Sequence, residues 1–77
     1  MKAIKTTYHG PTNFKGSRII ARDGDGNRIT IGYPYELSGD AVHEKAARAL
    51  MLKMNWTGKL YTGWLEKGTY VHVIGDR

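Results

Sequence analysis

The chain has 77 residues and a formal net charge of +5, from 12 Lys and Arg against 7 Asp and Glu. Domains commonly run to about 100–150 residues, so residues 1–77 are expected to form one small domain; a two-domain enzyme, a dinucleotide-binding fold and a barrel are excluded. A composition of 40% hydrophobic and 25% charged residues is that of a folded chain, and the absence of cysteine removes disulfides, thiolate metal sites and a cysteine nucleophile.

Residues 2–8 are rich in Ile, Thr and Tyr and predict a first strand. Gly10-Pro11-Thr12-Asn13 ends it as a turn cluster. Residues 17–23 predict a second strand. Gly24-Asp25-Gly26-Asn27 then supplies the positive φ angles that a tight hairpin needs. Residues 28–33 alternate apolar and polar side chains and predict a third strand, which Pro34 ends.

Ser38 or Asp40 is placed to cap a helix by accepting from a free backbone N–H. Residues 40–54 follow helical spacing, with Val42, Ala46, Ala49, Leu50 and Met54 in one broad apolar stripe. His43 and Lys53 interrupt that stripe near its ends. Glu44 and Arg48 stand at i and i+4 and can pair. Leu52 projects among polar residues, where no core is expected. Gly58 breaks the helix, and residues 59–65 and 69–74 predict two last strands joined at Glu66-Lys67-Gly68.

The resulting order is βββαββ, an α+β architecture: a mostly antiparallel five-stranded sheet with one helix packed on one face. A helix covers about 10–12 Å of width, and five strands at about 4.8 Å spacing need more. Part of the sheet and all of its second face are therefore left to solvent, a partner or another copy.

Charge is unevenly placed. Residues 1–22 hold Lys2, Lys5, Lys15, Arg18 and Arg22 and no acid; the first acid is Asp23. Side chains alternate across a strand. If Ile19, Ile29 and Ile31 meet the helix, then Arg18, Arg22 and Arg28 point to the open face. The last strands add Tyr61 or Trp64, and Tyr70 with His72, to the surfaces available there. Arginines and aromatic rings on a sheet can grip phosphates and stack bases; equally, such arginines keep an exposed sheet soluble. Leu52, Trp56 and Trp64 are apolar candidates for a protein contact, or for closing the ends of a thin core.

No His-Glu-x-x-His, Gly-x-Ser-x-Gly or P-loop pattern occurs, so no catalytic activity and no cofactor are expected. Asp23, Asp25 and Asn27 imitate the first ligands of a calcium loop. Arg28 stands where that loop requires Gly, and Pro34 where it requires Glu, so no metal site is expected. The opening segment has no apolar stretch and no run nears 18 apolar residues. The expectation is a cytoplasmic protein without membrane contact.

From Tyr8-His9-Gly10-Pro11-Thr12-Asn13-Phe14-Lys15-Gly16-Ser17-Arg18-Ile19, through Tyr33-Pro34-Tyr35-Glu36-Leu37-Ser38 and the alanine-rich helix, to Gly68-Thr69-Tyr70-Val71-His72-Val73, the chain resembles a group of small bacterial and phage accessory proteins. That resemblance implies a mobile-element context. Small α+β proteins of that context are similar in size and style to anti-CRISPR and anti-restriction inhibitors, which cover a surface of a host nuclease complex. A weaker similarity, over Arg28 to Leu50, is to AP2-like DNA-binding domains, whose sheets read DNA with arginines and tryptophans; here the tryptophans fall instead at 56 and 64.

The leading expectation is a non-catalytic protein that binds a host-defence or nucleoprotein complex, with Arg18, Arg22, Arg28, Tyr70 and Leu52 as contacts. The alternatives are a module that binds DNA or RNA directly through the same arginines, and a homodimer that buries the open sheet.

Overall fold

A computed structural model describes residues 2–11, 16–34, 36, 37 and 39–75. In chain order the elements are β1 (Lys2–His9), β2 (Arg18–Arg22), β3 (Arg28–Gly32), α1 (Asp40–Met54), β4 (Lys59–Glu66) and β5 (Thr69–Gly75). All strands join one antiparallel sheet in the order β3-β2-β1-β5-β4. The βββαββ order and the single helix are as the sequence pattern predicts.

The β2–β3 turn forms where the Gly-Asp-Gly-Asn signal places it. Gly26 has φ 92°, which a side chain would strain. The Asp23 carboxylate accepts from the backbone N–H groups of Asp25 and Asn27, both at 2.9 Å, and from the Asn27 side chain. Those bonds, Asn27's side chain foremost, hold the Asp23 carboxyl below its ordinary range.

The helix starts without the expected cap. Gly39 is the N-cap residue, at φ 58°, and Asp40 is the first helical residue. Ser38, the other cap candidate, lies outside the described residues. The far end closes at Asn55 in the left-handed conformation, with Glu44 and Arg48 paired at 2.7 Å along the exposed side as their spacing predicts.

Alternation assigns the faces. Ile4 and Thr6 of β1, Ile19 and Ala21 of β2, and His72 and Ile74 of β5 are buried under α1. From α1 itself, Val42, His43, Ala46, Ala47, Leu50 and Met51 face inward. This stripe is rotated from the expected one: Ala47 and Met51 are buried, while Ala49 and Met54 are only half-buried. Two adjacent alanines let the helix approach the sheet closely, and His43 follows them inward because it finds polar partners there.

α1 lies chiefly over β2, next over β1 and β3, and least over β4 and β5. The β4–β5 side therefore extends past the helix, and the molecule measures 40 × 22 × 21 Å. Its accessible surface is 5216 Å², above the roughly 4,700 Å² that mass scaling gives for a rounder chain. No helix among the described residues is long and apolar enough to cross a membrane.

Candidate nucleic-acid interface

The uncovered sheet face carries the basic charge. Arg22 lies directly opposite Lys5 on β1 and opposite Arg28 on β3. These three cations form a row straight across three strands, about 10 Å from end to end at strand spacing. Four residues along β2, Arg18 stands opposite His9 and Gly32. Between the two rows lie Thr7, Ile20 and Thr30. Lys59 and Tyr61 bring the same face to the edge strand β4, with the Lys59 ammonium 5.6 Å from the Tyr61 ring centre.

Like charges directly opposite one another destabilise an antiparallel pair. Lys5, Arg22 and Arg28 pay that cost twice in one row. None of the three is in an ion pair: among the described residues the ion pairs are Lys2–Asp25, Lys45–Glu36 and Arg48–Glu44, all elsewhere. The only acid within a described strand is Glu66, beyond the bulge at the far end of β4. A flat row of unneutralised cations is what a polyanion neutralises.

Not every candidate residue joins this face. Arg18, Arg22 and Arg28 do. Tyr70 does not: it shares a face with His72 and Ile74, pairs across β4 with Trp64, and packs on the helix side. Tyr70 and His72, expected beside the arginines, thus lie on the other face; of the alternatives Tyr61 and Trp64, Tyr61 lies on the basic face and Trp64 does not. The error came from β5, whose Val71 and Val73 suggest an inward face while Tyr70, His72 and Ile74 occupy it. Leu52 sits on the solvent side of α1, 84% exposed, and not on the open sheet face that carries the arginines. Trp56 is half-buried beside the core, under the Lys2 ammonium at 4.8 Å.

Beneath the helix the sequence reading missed a buried polar chain. Thr6 Oγ1 lies 2.8 Å from His43 Nδ1 and 2.9 Å from His72 Nε2, and His72 Nδ1 lies 3.0 Å from Thr62 Oγ1. The Thr6 hydroxyl has one proton for two ring nitrogens, so it donates to one ring and accepts from the other. At least one ring is therefore neutral. Desolvation lowers the pKa of His43, and it pushes His72 down to about 4 with help from the neighbouring His43. The signal in the sequence is four polar residues at core-facing phases of four different elements. No family model, curated protein or solved structure matches the chain, and the geometry carries its functional reading.

Proposed function

We propose that this chain is a non-catalytic accessory protein of mobile-element type, working in the bacterial cytoplasm, that grips the phosphate backbone of a nucleic acid with its open sheet face. The observation that carries this reading is the row Lys5–Arg22–Arg28, with Arg18 behind it and no acid among them. Arginine forks bind phosphate oxygens in pairs and need no base identity, so affinity is expected to be electrostatic and only weakly sequence-dependent. Tyr61 offers one ring for stacking at the edge.

The test is a titration of duplex and single-stranded oligonucleotides at two salt concentrations. Five cations on the face set a ceiling of about −4 to −5 on the slope of log affinity against log salt. Replacing Arg18, Arg22 and Arg28 together by Ala is expected to reduce that slope by roughly 2 to 3. Absence of binding at low salt, or an unchanged slope in the triple variant, rejects the proposal.

The protein-directed reading, inhibition of a host-defence or nucleoprotein complex, draws on one different observation: Leu52 is a large apolar side chain almost fully in solvent on the helix. Phage plaquing in CRISPR-active and restricting hosts tests it. Plaquing that rises with this protein and falls back with Leu52→Glu supports that reading; unchanged plaquing in all hosts removes it. A sedimentation mass of one chain removes the homodimer.

A further inference from the structure

On the helix side, the end of the sheet beside the start of α1 is lined with aromatic rings. Tyr33 follows β3, Tyr8 is the last residue but one of β1, Tyr70 is the second of β5 and Trp64 lies opposite Tyr70 on β4, so the rings run across this end of the sheet. With His43 and Lys67 they line a cleft of about 380 Å³, within the range of small-molecule sites.

The walls are held in place from behind. Tyr8 and Tyr33 meet edge to face with ring centres 5.6 Å apart. Tyr70 lies on the His43 ring at 4.3 Å and is bonded to Asp40, which raises its phenol pKa. His43 is itself fixed by Thr6. Trp64 is 68% exposed and Tyr8 41% exposed, so two large rings stand ready while their neighbours are locked. Ordering these side chains in advance reduces what a ligand must spend on binding.

The polar chemistry of the lining selects the occupant. Sugar recognition needs carboxylates and carboxamides to bracket hydroxyls, and the described residues of the lining supply neither; Asp40, nearby, is engaged by Tyr70. Among the described residues the lining offers chiefly π-surface, edged by phenol hydroxyls and the His43 ring, with one ammonium, Lys67, at the tip of the β4–β5 turn.

We propose that this cleft is a binding site for a planar, anionic aromatic ligand of the nucleotide class, its base stacked on Trp64 and Tyr8 and its phosphate met by Lys67. The cleft lies on the opposite side of the sheet from the arginine row, so this site stands independently of the backbone-gripping face.

The experiment follows Trp64 fluorescence in a Trp56→Phe background, where Trp64 is the sole indole. AMP is expected to quench it saturably. Adenosine is expected to bind about ten-fold more weakly, the scale of one charged contact, and inorganic phosphate to leave the emission unchanged. Lys67→Ala is expected to bring AMP down to the affinity of adenosine, and Tyr8→Ala to weaken both, with amide chemical shifts confirming that each variant is folded. The Arg18/Arg22/Arg28→Ala variant is expected to lose oligonucleotide binding and keep the AMP quench, which separates failure of one site from failure of the other. No saturable quench by AMP at 10 mM, equal affinity for AMP and adenosine, or an unaffected Tyr8→Ala variant overturns the proposal. So does disappearance of the quench in the arginine variant, since that places AMP on the other face.

Discussion

Ile19 and Ile20 are consecutive in β2 and live on opposite sides of the sheet. Ile19 is fully buried under α1 among Ile4, Ala21 and Leu50, whereas Ile20 is half-buried on the open side between rows of cations. The helix side is spent on apolar contact and on a polar chain whose every member has a partner. The open side concentrates like charge, and none of the ion pairs among the described residues engages it. Folding this small chain needs only one face, and the other is free to carry a charge pattern that works against the sheet itself.

The sharpest way to break that contrast is to shorten the two isoleucines in turn. Ile19→Ala is expected to cost about 3 kcal/mol, transfer plus cavity. Ile20→Ala is expected to cost about 1 kcal/mol, chiefly strand preference. Urea unfolding of both variants checks the pair, and equal losses would mean that both faces share the core.

The polar chain makes the helix side sensitive to acid. The unfolded histidine takes a proton near pH 6.5 and the folded His72 only at about 4. Between those values the unfolded chain holds more protons, so stability falls as pH drops from 6.5 to 4 and is flat above. The full loss is no more than roughly 3 kcal/mol for this one ring. Burial moves His43 the same way, so it adds to the slope. His72→Gln is expected to flatten the dependence in that window even if it lowers stability throughout. A slope unchanged by that replacement would show that other groups set the acid response.

Gly58 leads from the helix into β4 and determines how the last hairpin meets the rest. It has φ 132°, and an added Cβ would run into the Gly75 carbonyl oxygen and to 2.8 Å from Ile74 Cγ2. Gly58→Ala is expected to cost at least about 1–3 kcal/mol, read as a lowered melting temperature; a neutral result would mean that the junction yields.

The smallest effect has the opposite sign. Arg22 faces Lys5 on one side and Arg28 on the other, so Arg22→Thr is expected to stabilise the free protein by about 0.2–1 kcal/mol at low salt. The same change is expected to weaken oligonucleotide binding. Stabilisation that fades as salt is added identifies the row as an electrostatic liability kept for a ligand.

The strands, the hairpin turn and the helix were legible because each has a strong local signal. Residues 28–33 alternate, Gly24 to Asn27 supply turn conformations, and residues 40–54 keep helical spacing. The arginine face was legible for the same reason, since β2 and β3 have apolar residues enough on one side to orient them. β5 resisted because it is apolar on both sides, and its inward side includes His72. Such a residue is buried only because Thr6, His43 and Thr62 lie where they satisfy it, and no local pattern encodes a partner on another strand. The aromatic cleft was hidden likewise, being assembled from β1, β4, β5 and the residue after β3.

The order of strands in the sheet has a consequence for how the chain is made. Of the five strands β1 leaves the ribosome first, and its neighbour on one side is β5, the last of the five in chain order. Until β5 emerges, β1, β2, β3 and α1 can associate only as a half-sheet with one edge of β1 bare, which is a template for joining another nascent copy. Lys2 and Lys5 stand along that edge strand, and their charge repels an identical neighbour during the interval before β5 arrives.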